Sequence, residues 1–153
     1  FLAYKDYAGK SIEDVVGSDA IKKSLHLQVE TLASSILIND GENKFRLVSL
    51  PVMAQLAPVF TVIADDFDKD GITDIFAGGN FYDIKPDIGR LDANAACILK
   101  GNGKGDFSYM PSNVPGLGLT GQVRDALIID VKQKRMIMLA RNNAPVILLE
   151  TRN

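Results

Sequence analysis

The sequence has one cysteine, Cys97, and one histidine, His26. A single thiol excludes an internal disulfide, and a lone histidine with no cysteine beside it offers no zinc site. Cys97 lies in the apolar run Ala95-Ala96-Cys97-Ile98-Leu99 and reads as a buried, inert thiol. His26, between Leu25 and Leu27, reads as a strand-surface residue. No stretch of about 18 apolar residues occurs, so no helical membrane span is expected. The 17 Lys and Arg against 19 Asp and Glu leave a net charge of -2 without a basic run. Clustered positive charge is what a nucleic-acid surface needs, so that partner class is set aside. Catalytic signatures are also missing: there is no Gly-x-Ser-x-Gly, no His-Glu-x-x-His and no Cys/His nucleophile pair. Gly101-x-Gly103-x-Gly105 is not a phosphate loop, because no Gly-Lys-Ser/Thr follows it. The chain opens on Phe1, with no initiator methionine and no signal peptide, and reads as a processed piece of a longer protein.

What is present is an acidic stretch, residues 65–74. Asp65, Asp66, Asp68, Asp70 and Asp74 stand within ten positions, with only Lys69 to offset them. Like charges this close repel unless a cation lies between them. Asp66, Asp68, Asp70 and Asp74 occupy positions 1, 3, 5 and 9 of a loop, with Gly71 at position 6 for the sharp turn. Hard oxygen ligands in that number suit Ca²⁺, and the carbonyl of Ile72 at position 7 would complete the ring. Asp65 is expected behind the ligands or facing solvent. An EF-hand is excluded twice. Position 12 is Ala77, which cannot ligate, and Ile75-Phe76-Ala77-Gly78-Gly79 reads as a buried strand instead of a helix. Residues 59–64 read as a strand too, so the loop joins two strands. A glycosidase pair could also be drawn from these carboxylates, but metal ligation accounts better for their spacing.

The pattern Asp66-x-Asp68-x-Asp70-Gly71-x-x-Asp74-Ile75, followed by Gly78-Gly79-Asn80, resembles the calcium loop of FG-GAP (VCBS) repeats. Those repeats build β-propellers of the integrin α-subunit type. Ala57-Pro58-Val59-Phe60, Gly79-Asn80-Phe81-Tyr82, Pro86, Gly89-Arg90 and Asp92-Ala93 are similar to bacterial secreted proteins of that group. The resemblance is strongest over residues 34–130. It implies a propeller fold, an extracytoplasmic setting (periplasmic, cell-surface or secreted) and Ca²⁺ in the loop. It implies no catalytic activity.

In chain order, Ser11 and Asp14 form a capping-box start, and Gly17-Ser18 breaks the helical pattern into two short pieces. Residues 1–24 thus read as a helical insertion or linker, packed on the rim of a β domain or held for a partner. From Leu25 the period becomes two, predicting a strand over 25–30. Further strands are predicted at 35–38, 44–50, 59–64, 75–79, 95–99, from Phe107, and at 123–130, 136–140 and 146–150. Residues 80–94 form a long polar loop, and Gly116-Leu117-Gly118 marks another. Residues 35–45 align with 97–107, each an apolar strand, a glycine-containing turn and then Phe. After each copy comes a strand pair. In the second pair Asp130 aligns with Asp66, but Val131-Lys132-Gln133-Lys134-Arg135 replaces the remaining acids. The reading is all-β: two to three four-stranded propeller blades, with a calcium-loop blade at 25–80 and a degenerate, metal-free blade at 95–150. Too few blades are present to close a ring, so other blades of a longer parent or a copy of itself are expected as neighbours.

Arg90, Asp92, Arg124 and Asp125 recur in the family-like segments. They either line a ligand surface on one propeller face or form ion pairs between blades. The function expected is structural calcium binding in a module that recognises a protein or a glycan. The alternative is a propeller enzyme that hydrolyses or lyses a polysaccharide.

Overall fold

The computed structural model describes residues 3–111, 118–132 and 134–150. It divides into two compact units, Phe1–Leu32 and Ala33–Asn153. The loop expected at Gly116-Leu117 and position 133 of the basic turn lie outside the described residues.

The first unit holds three short helices: α1 (Tyr4–Tyr7), α2 (Ile12–Val16) and α3 (Ser18–Lys23). The capping box forms as expected. Asp14 N–H donates to Ser11 Oγ at 3.2 Å, and Ser11 N–H donates to Asp14 Oδ2 at 3.0 Å. Gly17, at φ +91°, ends α2 and also stands at the N-cap of α3. The strand expected over 25–30 does not form, and Leu25 and Leu27 are 82% and 84% exposed. Alternating side chains supply a face, but a strand also needs a neighbour for its backbone groups, and among the described residues none pairs with this segment. His26 is likewise not on a strand: its Nε2 lies 3.0 Å from the Ile21 carbonyl oxygen near the end of α3.

Every strand described in the second unit pairs antiparallel. Strands β1 (Ser35–Gly41) and β2 (Lys44–Ser49) form a hairpin. Strands β3 (Val59–Asp65), β4 (Asp74–Gly79), β5 (Ala96–Gly101) and β6 (Phe107–Tyr109) form a four-stranded sheet in chain order. Strands β7 (Val123–Val131), β8 (Lys134–Arg141) and β9 (Ile147–Glu150) form a three-stranded one. No sheet closes into a barrel among the described residues. The strand pair around the acidic loop was expected in one four-stranded unit with the hairpin before it. It pairs instead with the hairpin after it, through Ile75↔Leu99 and Phe76↔Ile98. The 3-10 turn Val52–Ala54 follows Pro51 and buries Ala54 in the layer between β1–β2 and the face of the four-stranded sheet.

Three layers result, with β4 at the centre and buried at all six positions. Ile75 and Ala77, with Cys97 and Leu99 of β5, pack against Ile36 and Leu50 of the β1–β2 layer. Phe76, with Ala96 and Ile98, packs against Val123, Ile137 and Leu139 of the third sheet. Alternate side chains of one strand thus feed two separate cores. Gly78 permits the close approach on the second side: a Cβ there would lie 2.9 Å from Val123 Cγ1. Cys97 is buried as expected, and burial pushes its thiol pKa up.

The sequence alignment of the two hairpins reappears as register. Leu37↔Leu47 and Asn39↔Phe45 in β1–β2 match Leu99↔Tyr109 and Gly101↔Phe107 in β5–β6. The register shift between Val59 and Thr61 matches the shift between Val123 and Asp125. Asn80 N–H donates to the Pro58 carbonyl at 3.2 Å, as Asn142 N–H donates to that of Gln122 at 2.9 Å.

Matched positions differ in burial, and stability should follow burial. Leu99→Ala, at a fully buried site, is expected to cost about 2–5 kcal/mol in urea unfolding. Leu37→Ala, at the matching exposed site, should stay within about 0.5 kcal/mol.

Candidate metal centre

The acidic loop runs from the end of β3 to the start of β4, and its carboxylates curl it. Asp66 accepts the N–H of Asp70 on Oδ1 at 3.1 Å and that of Gly71 on Oδ2 at 2.8 Å. Asp68 Oδ1 accepts the Asp70 N–H at 3.3 Å, and Asp70 Oδ1 accepts the Ile72 N–H at 2.8 Å. Gly71 takes φ +83°, the left-handed conformation the turn demands. Asp74 closes the loop from inside the protein. Its side chain is fully buried, with Oδ2 accepting Phe67 N–H at 3.1 Å and Oδ1 accepting Gly101 N–H at 2.9 Å.

Asp66, Asp68 and Asp74 each offer a carboxylate oxygen within 4.8 Å of the others, a cluster that can hold a metal ion. Calcium–oxygen bonds of about 2.3–2.6 Å place two ligands of one ion up to roughly 5 Å apart, so the donor set fits that cation. Of the expected ligands, Asp70 lies beside this trio, with its Oδ2 turned to a lysine. Ile72 contributes its amide to Asp70, and its side chain lines a neighbouring cleft of about 600 Å³ between the loop, the β1–β2 turn and the β5–β6 turn. Polar side chains in that cleft engage one another: Arg46 with Asp40 at 3.0 Å, and Asn102 with Asp106 at 3.1 Å.

The lysine is Lys100 of β5, which sequence reasoning did not connect to the loop. Its Nζ hydrogen-bonds Asp68 Oδ2 and lies 2.8 Å from Asp70 Oδ2. The hydrogen bonds it donates to Asp68 and then to Asp70 hold its pKa well above the ordinary value. In turn Lys100, followed by the Ile72 amide, holds the Asp70 carboxyl below its ordinary value. One signal existed in the aligned copies. Ile38 stands at the position matching Lys100, so this copy places a charge where the other has an apolar residue. Asp65 also has a partner: Arg135 of β8 reaches its Oδ2 at 2.5 Å. The start of β8 and the end of β3 are thus joined by an ion pair across the two sheets.

The other candidate residues lie toward the far end of β4, where Thr61 pairs with Gly78 and Phe81 bridges to Leu91. Arg124 stacks over Phe60 at 4.2 Å and over Phe81 at 5.3 Å, and donates to Gln122 Oε1 at 2.6 Å. Asp83 stands 3.8 Å from it. Arg90 lies 5.0 Å over the Tyr82 ring. Asp125 Oδ1 accepts the Thr61 hydroxyl at 3.3 Å, across the two sheets. Asp92 is exposed, next to the Phe81↔Leu91 bridge. Arg124 and Asp125 therefore tie the third sheet to the second. Arg90 lies over Tyr82 and Arg124 over Phe81, two rings adjacent in the chain.

Compared with protein-family models, curated proteins and solved structures, the chain finds no match.

The two perturbed groups at the loop, Asp70 and Lys100, set a pH dependence in the metal-free protein. A carboxyl depressed by folding contributes stability above its unfolded value of 3.8, lost as pH falls through its lower folded value. Lys100, raised by folding, contributes stability below its unfolded value of 10.5, lost as pH rises through its higher folded value. Thermal melts in chelator between about pH 2 and 5 should show the acid-side loss, and Asp70→Asn should shrink it.

Proposed function

We propose that the chain is part of an extracytoplasmic, calcium-binding β-propeller of the FG-GAP type, whose metal centre is structural and whose loops recognise a protein or a glycan. The observation that carries the calcium reading is the convergence of Asp66, Asp68 and Asp74 oxygens within 4.8 Å, with a side-chain ammonium drawn onto the same loop. A loop that recruits its own lysine has a surplus of negative charge to neutralise. Bound calcium would do so with Asp66, Asp68, Asp70 and Asp74 as side-chain ligands and Ile72 as carbonyl donor, and Lys100 would give up Asp68 and Asp70. The propeller reading draws on the face-to-face layering of short antiparallel sheets and on the shared register of their hairpins. Recognition rests on the resemblance.

The role given to calcium is to hold the β3–β4 connection. At an affinity near 10⁻⁴ M, typical of extracellular modules, millimolar calcium stabilises the fold by about 1.4 kcal/mol. Thermal melts with calcium against chelator should show a rise in the wild type and none in Asp66→Asn or Asp68→Asn. Lys100→Met removes the competing ammonium. It should lower the melting temperature in chelator and tighten calcium binding several-fold in titration calorimetry. If neither the wild type nor Lys100→Met responds to calcium, the metal assignment is wrong.

A further inference from the structure

The sheets of residues 33–150 stack by one rule, used twice. One face of the four-stranded sheet, carrying Leu99 with Phe107 and Tyr109, receives Ile36 and Leu50 of the β1–β2 layer. Its opposite face carries the row Ile63↔Phe76↔Ile98 and receives Ile137 and Leu139 of the three-stranded sheet. The face a sheet turns to the preceding sheet in the chain is its backward face, and the one it turns to the following sheet its forward face: each interface then joins a forward face to a backward one.

The same register identifies the two faces at the ends of the stack. On β1–β2 the residues matching Leu99, Phe107 and Tyr109 are Leu37, Phe45 and Leu47, and they are 62%, 57% and 56% exposed. On the third sheet the row matching Ile63↔Phe76↔Ile98 is Leu127↔Met138↔Leu148. Leu127 and Leu148 are 43% and 47% exposed. So the stack ends in an apolar backward face on one side and an apolar forward face on the other. Inside the molecule each of these surfaces is covered by the opposite kind, and among the described residues no forward face meets another forward face.

We propose that the two ends are complementary docking surfaces. A second copy of this chain seats Leu37, Phe45 and Leu47 on the Leu127–Met138–Leu148 row, repeating the internal stacking between molecules. The contact is head-to-tail, so it leaves a free face at each end of a dimer and extends to longer assemblies or a closed ring.

The test uses the full chain in sedimentation velocity over rising concentration. Wild type should shift from monomer to a series of larger species. Leu37→Glu blocks the backward face and Leu148→Glu the forward face, so each variant alone should remain monomeric. An equimolar mixture of the two keeps one intact face of each kind and should form a one-to-one dimer and nothing larger. Leu47→Glu and Leu127→Glu serve as second variants, with circular dichroism confirming the fold of each. A wild type that stays monomeric overturns the proposal. So does a single variant that associates as the wild type does, which would mean like faces pairing, and so does a mixture that forms no dimer.

Discussion

The buried carboxylate of Asp74 is the contact on which the acidic loop depends. Removing a carboxylate from water is costly unless hydrogen bonds replace what water supplied. Here both oxygens are engaged by backbone: Oδ2 by the N–H of Phe67 in the loop and Oδ1 by that of Gly101 in β5. A side chain at the first position of β4 therefore fixes the loop's entry and ties it to the neighbouring strand. With the loop anchored there, Asp66 and Asp68 are brought alongside Asp74, and Lys100, one residue before Gly101, comes within reach of the same acids.

β4 transmits that anchorage. Buried on both faces, it offers one set of side chains to the β1–β2 side and the other to the third sheet. At its far end the chemistry changes from carboxylate and ammonium to guanidinium over aromatic rings. Arg124 is held by Phe60, Phe81 and the Gln122 amide, so its charge serves the joint between two sheets. The Asp65–Arg135 pair does the same at the near end. Polar contacts thus pin both ends of the interface whose middle is Phe76, Val123 and Leu139.

Much of this was legible in the residues. Short apolar runs bounded by Gly, Asn, Asp and Pro located the nine described strands, because a strand packed into a layered core must be apolar and the turns that end it need those residues. The failure at residues 25–30 shows the limit of such signals: alternation states which side would be buried, and partnership decides whether anything buries it. Grouping into sheets was not legible either. The pairing of β4 with β5 depends on contacts across the 80–94 loop, which no local window contains. The acidic spacing located the centre, while Lys100 and Arg135 entered from other strands. Their sequence neighbours carry no mark of it, beyond the exchange of Ile38 for Lys100 between matched hairpins.

In all three sheets, among the described residues, each strand hydrogen-bonds only to strands adjacent to it in the chain. A ribosome delivers such a chain in usable instalments. The β1–β2 hairpin can zip when Ser49 emerges, the four-stranded sheet when Tyr109 does, and no backbone pairing waits on a strand made later. Only the side-chain layers join distant segments, and each new sheet arrives to find the face it must cover already formed.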